Sequence, residues 1–147
     1  MIYRFINLLA SFFSRKPDKT INDKYLLRWH LIPRNKYFNI YLHKFIGDDD
    51  RVYHDHPFHS LSILLKGEYK EFILKSIQRN NVFHLCHRKH HKPVKLIFRS
   101  ALRMHRLEVI DGPVWTIFIT GPRFREWGFN VNGKWIAWHK YERGGCE

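Results

Sequence analysis

The chain has 147 residues, with 26 Lys and Arg against 13 Asp and Glu, a net charge of +13 and a pI near 10.0. That length suits one domain with one substantial core, and its two cysteines, Cys86 and Cys146, are too far apart in sequence for a disulfide framework, so a reducing, cytoplasmic compartment is expected. No stretch approaches the ~20 apolar residues of a membrane helix, while the charge points to anionic company, whether small molecule, nucleotide, nucleic acid or acidic membrane surface, if it does more than solubilise.

At the N-terminus, "MIYRFINLLASFFSRKP" repeats apolar residues (Ile2, Phe5, Ile6, Leu9, Phe12, Phe13) at helical spacing. This predicts an amphipathic helix over 1–16, without the small-residue cleavage site of a secretion signal. Such a helix packs on the domain or a second subunit, or lies on a membrane surface through Arg15 and Lys16. Pro17 and the polar residues 18–23 read as a linker, and 17–147 as a single β-barrel domain.

Short alternating runs follow. "YFNIYLHKFI" sets Phe38, Ile40 and Leu42 against Asn39, Tyr41 and His43. "LSILLKG" and "EYKEFILK" flank Gly67, which reads as a hairpin turn. Then come "NNVFHLCH", "VKLIFR", "MHRLEVI", "VWTIFIT", "REWGFNV" and "KWIAWHKY", with turns expected at Asp111-Gly112-Pro113, Gly121-Pro122 and Asn132-Gly133. Aromatic and β-branched residues suit strands. About ten strands with Gly, Pro and Asn punctuation predict an all-β sandwich or barrel, and Asn132-Gly133 a tight hairpin.

The histidines carry the chemistry. On a strand, His54 and His56 in "YHDHPFHS" point to one face and Asp55 to the other. Two such imidazoles reach one metal at ~2.0–2.1 Å, and a third ligand from another strand closes the site. His105 in "RSALRMHRLEV" is the candidate. His59 falls near the rim, as a supporting group, an acid/base catalyst or an ordinary polar residue. The cluster "HLCHRKHHK" (His84, Cys86, His87, His90, His91) matches no standard zinc spacing, and Arg88, Lys89 and Lys92 repel cations, so it reads as a solvated basic hairpin tip suited to phosphate.

The order of Gly47, His54, His56, Gly67 and, about fifty residues beyond the pair, His105 resembles the cupin superfamily over residues 37–129. The resemblance implies a double-stranded β-helix, or jelly-roll barrel, with two histidines from a first motif and one from a second. The family's glutamate falls near Ser60, and "SALRM" replaces the proline and glycine usual before the second-motif histidine. The pattern is therefore similar to the three-histidine variant seen in thiol dioxygenases. His56 stands where 2-oxoglutarate oxygenases carry an aspartate. One divalent transition metal is implied, with Fe first and Zn, Ni, Cu or Mn also compatible with imidazole, and the family's dimers make a homodimer an option.

Arginines offer the anion a clamp. Arg103, in one segment with Arg99 and Arg106, shares the His105 face, and Arg123 and Arg125 come from a second segment, "GPRFREWGF", unless Glu108, Asp111 or Glu126 takes these arginines into salt bridges. Trp127 and Trp115 can stack a planar ligand or fill the core. The expectation is a metal-dependent cupin-like protein acting on a small anion. His54, His56 and His105 hold the metal, Arg103 with Arg99 or Arg123 orients the ligand, and Tyr69 or His59 moves protons. Oxidation by O2 at iron is the leading reaction, with lyase, isomerase or hydrolase chemistry also open. A non-catalytic module sequestering a nucleotide or other phosphorylated ligand is the alternative, and nucleic-acid binding through the basic surface the second alternative.

Overall fold

The computed structural model describes residues 15–21, 25–49, 52–77 and 83–141. The expected N-terminal helix lies outside these residues except for Arg15 and Lys16, which are not helical. Ten strands make up the regular structure: β1 (Lys19–Ile21), β2 (Leu26–His30), β3 (Asn39–Phe45), β4 (Tyr53–His54), β5 (Ser60–Ile77), β6 (Phe83–His91), β7 (Lys95–Arg99), β8 (His105–Thr120), β9 (Gly128–Val131) and β10 (Lys134–Ala137). The described residues include no helix, and hence none long and apolar enough to cross a membrane. The segment read as a linker contains β1, which pairs antiparallel with β2.

Every pairing is antiparallel, and two long strands organise the rest. β5 runs beside β8 over almost its whole length. The first half of β5 is flanked by β7, and the facing half of β8 by β3, then β2 and β1. The second half of β5 is flanked by β6, and its stretch of β8 by β4, then β9 and β10. One sheet thus folds into two layers. Leu64, Ile97 and Val114 of the first meet Tyr69 and Leu107 of the second, together with Leu26 and Phe45. This is an all-β half-barrel of jelly-roll type.

The fold line corrects two expected turns. Gly67 lies inside β5, where the register is bulged between Leu64 and Tyr69. Its φ of +80° is open to glycine, and a Cβ there would stand 2.7 Å from the Asp111 carbonyl oxygen. Residues 111–113 likewise lie inside β8. A hairpin would pair each strand with itself, whereas a bulged bend keeps the β5–β8 ladder intact around the corner. Asn132-Gly133 does form the tight β9–β10 hairpin, with φ of 50° and 83° at its two central residues.

The basic histidine cluster lies along a strand and not at a hairpin tip, and Arg88, Lys89 and His90 in it are exposed as expected. It belongs to β6, paired with β5 from Tyr69↔His91 to Ile77↔Phe83. His91 is buried with its Nε2 2.8 Å from Glu71 Oε2, and His90 Nε2 lies 2.7 Å from Glu68 Oε2.

Candidate metal centre and cavity

The expected strand carrying both His54 and His56 is shorter than the pattern implies. β4 ends at His54, and His56 occupies the following loop. The two still share a side because the residue between them is anchored the other way. Asp55 is buried and accepts hydrogen bonds from Gly128 N (2.7 Å), Arg125 Nη1 (2.8 Å) and Trp135 Nε1 (3.1 Å). His56 N donates to Ala101 O. His54 itself pairs with His105 on β8 and Phe129 on β9, which brings the second-motif histidine alongside.

The three rings form a near-equilateral triangle, with centroids 5.1 Å (His54–His56), 5.0 Å (His54–His105) and 5.1 Å (His56–His105) apart. One donor atom from each lies within 4.8 Å of the others. His56 Nε2 and His105 Nε2 are 2.9 Å apart. Two ligands about 2.1 Å from one ion at right angles stand about 3.0 Å apart, so this edge has the size of a shared coordination edge.

Electrostatics favour the ligating form. Burial, then the charges of its neighbour histidines, holds His56 well below the usual imidazole pKa. Burial also depresses His105, to about 3, although Glu71 pulls the other way. Neutral imidazoles keep the lone pair a metal needs. Glu71 Oε1 lies 2.9 Å from His105 Nδ1, and Asp49 Oδ2 lies 3.3 Å from His54 Nδ1. A carboxylate behind the far nitrogen is how ligating histidines are oriented. The donor set therefore fits a divalent transition metal.

Glu71 was not anticipated. Burial alone would raise its carboxyl, but hydrogen bonding with His105 and His91 and the charge of Arg99 hold it well below the ordinary range. Its signal in the sequence is parity: Tyr69, Glu71 and Ile73 alternate on β5, and all three are buried. Ser60, where the resemblance put the acidic residue, is buried on the same strand.

A cavity of about 90 Å³ opens beside the triangle. His54, His56, His105, Tyr69 and Arg99 line it, as do Arg28 and His43, which were not anticipated. Arg99 is nearly spent. Its Nε donates to Glu71, Nη1 to Ser62, and Nη2 to Tyr69 and Glu71. Tyr69 is raised by burial, partly offset by Arg99.

The remaining candidates stand outside the lining. His59 Nδ1 accepts a hydrogen bond from Ala101 N, with its ring near Phe98 and Phe124. Arg103 leaves the face of His105, because β8 begins only at His105, and its Nη1 donates to Phe98 O. Arg123 is exposed. Arg125 Nη1 ties Asp55 to the carbonyls of His56 and Ala101. Trp127 presents an edge-on ring 6.5 Å from His54 and stacks on Trp138 at 6.0 Å. Trp115 stacks on Trp29 at 5.7 Å.

No family model and no curated protein matches the sequence. Solved structures do match the fold. A DMSP lyase from Ruegeria pomeroyi has a TM-score of 0.53 at 13% identity, over 70% of this chain and 50% of that one, so this chain spans half its length. A recombinant oxalate oxidase in complex with glycolate has a TM-score of 0.55 at 16% identity, over 80% and 63%. A cupin superfamily protein from Desulfitobacterium hafniense has 0.50 at 15% identity, over 78% and 87%. With an all-β half-barrel and three histidines at its cavity, this chain has the cupin fold.

Proposed function

We propose that the protein is a metal-dependent enzyme acting on a small anionic molecule, with oxidation by O2 at iron as its reaction. The observation that carries this is the convergence of three imidazoles, His105 buried and His54 and His56 half-buried, on a cavity that also holds a phenol and arginines. Proteins sharing the fold include oxalate oxidase in complex with glycolate and HppE solved as its Fe(II) form, which supports the redox reading. The DMSP lyase shows that the fold is not confined to it.

His54, His56 and His105 would hold the metal. Once bound, it would supply Lewis acidity and, as iron, access to O2 chemistry. The chain's own residues do the rest. Glu71 holds the His105 proton on Nδ1 and leaves Nε2 facing the cavity, while Asp49 Oδ2 stands 3.3 Å behind His54 Nδ1. Tyr69 accepts from Arg99 and keeps its proton at neutral pH, so its O–H is the donor available to a substrate. Phe58 and Phe118 form an apolar wall of the cavity beside His56.

The cavity measures about 90 Å³. That suits a small ligand, which favours this reading over the sequestering of a nucleotide. The test is O2 uptake by the Fe(II)-loaded protein with a panel of small carboxylic acids, alongside the Tyr69→Phe variant. Substrate-dependent uptake, slowed at least tenfold by the variant at unchanged iron content, supports the reading. Ligand recovered unchanged, with uptake no faster than free Fe(II) gives, contradicts it.

A further inference from the structure

The cavity that the three histidines line also holds an arginine with no acidic partner among the described residues. Arg28 lies on β2, directly opposite His43 on β3 in the register, and both line the cavity. Arg28 Nε donates to His43 Nε2 at 2.8 Å, and its guanidinium lies 4.6 Å from the centre of the Tyr41 ring. No carboxylate of the described residues forms an ion pair with it. The groups acting on it are two phenols, Tyr41 and Tyr25, which favour its charge, and then another arginine, Arg34, which opposes it; none of them is a carboxylate. Arg28 is half-buried, and burial lowers its pKa.

A cation taken out of water without a counter-ion costs free energy. Arg99 meets that cost with Glu71, whose charge cancels its own. Arg28 has only the ring nitrogen of His43, and that ring is neutral, held well below the usual imidazole pKa by burial and then by Arg28 itself. With Nε occupied by His43, the guanidinium retains the donors of Nη1 and Nη2. A planar donor edge fits a planar carboxylate. Arg28 also acts electrostatically on His56, so the cation and the histidine triangle belong to one space. Phe118 bridges them, with its ring 4.9 Å from His43 and 6.5 Å from His56.

We propose that Arg28, buttressed by His43, is the carboxylate-binding residue of this cavity, and that the ligand is a small monocarboxylate whose other end faces His54, His56 and His105. One uncompensated guanidinium matches one negative charge, and a phosphate dianion would be left half neutralised. The inference deepens the proposed function by naming the substrate class, and its orientation clause rests on that reading. Carboxylate capture by Arg28 does not require the metal.

The test uses acetate and propionate as probes, with acetamide and propionamide as uncharged controls of the same shape. Affinities are measured by NMR on metal-free and Fe(II)- or Zn(II)-reconstituted protein, for the parent, Arg28→Gln and Arg28→Lys. The expected result is binding of the acids and not the amides, at least tenfold weaker in Arg28→Gln, partly restored in Arg28→Lys, with metal content equal in all three. In the parent, the ¹⁵N resonances of the Arg28 guanidinium should shift on adding acetate, a readout that needs no variant to fold. Equal acid affinity in Arg28→Gln, amides binding as tightly as acids, or no shift at Arg28 overturns the proposal. Loss of metal binding with acid binding intact would instead overturn the metal reading and leave this one standing.

Discussion

Arg99 and Arg28 stand at opposite sides of the same layer, one on β7 and one on β2, and both line the cavity. Their surroundings differ in one respect. Arg99 is 3% exposed and meets Glu71, which is fully buried, through two hydrogen bonds, with Ser62 and Tyr69 completing its shell. Arg28 has a neutral imidazole and an aromatic face. A buried charge paired with a carboxylate, with nearly all its donors used inside the protein, is part of the framework. A half-buried charge facing a cavity, with no counter-ion among the described residues, is a place for something to bind. The same residue type therefore does different work at the two positions.

Removing the charge of Glu71 should break the framework side of this comparison most. Glu71→Gln leaves Arg99 as an uncompensated buried cation, and breaking such a pair costs about 3–5 kcal/mol. Urea unfolding of parent and variant at pH 7.5 measures it. A loss below about 1 kcal/mol would mean that Arg99 does not depend on Glu71, and the contrast with Arg28 would collapse.

His43 sharpens the other side through pH. Its folded pKa lies below the 6.5 of an ordinary histidine because it is buried and faces Arg28. Below pH 6.5 the unfolded chain takes up a proton that the folded one refuses, so this group costs stability as pH falls and nothing well above that value. Between pH 7.5 and 5.5 the single proton amounts to about 1.4 kcal/mol. Metal-free parent should therefore lose about that much more stability than His43→Gln over the same interval, read by urea unfolding. Equal losses would place a proton on His43 in the folded state and remove the neutral partner argued for Arg28.

The smallest effect is expected at Arg28 itself. Arg28→Gln should change folding stability by less than about 1 kcal/mol in either direction, because the substitution also removes a half-buried charge without a counter-ion among the described residues. Destabilisation comparable to Glu71→Gln would make Arg28 a framework residue like Arg99.

Much of this was readable in the chain. Alternation and turn residues foretold the strands, and Asn132-Gly133 its hairpin, because those are local properties. The placement of His54, His56 and His105 at one site was foreseen through spacing, even though the strand under the pair proved to end at His54. Gly67 was misjudged because a glycine with positive φ serves a hairpin and a bulge equally well, and only its partner strand distinguishes them. Glu71 had the right parity, yet parity does not say which face is inside. Arg28, in "LLRWH", looks no different locally from Arg103 or Arg125. What sets it apart is the register that places it against His43, a contact 15 residues away in sequence.

The central claim is that three histidines brought together by β4, its following loop and β8 hold one metal ion. Elemental analysis of tag-free protein reconstituted with Fe(II), beside a His54→Ala/His56→Ala double variant and His105→Ala, tests it most directly. The account predicts about one equivalent in the parent and less than about a tenth in each variant, with the β-sheet circular dichroism unchanged. Full stoichiometry retained in either variant, or no metal taken up by the parent, would contradict it.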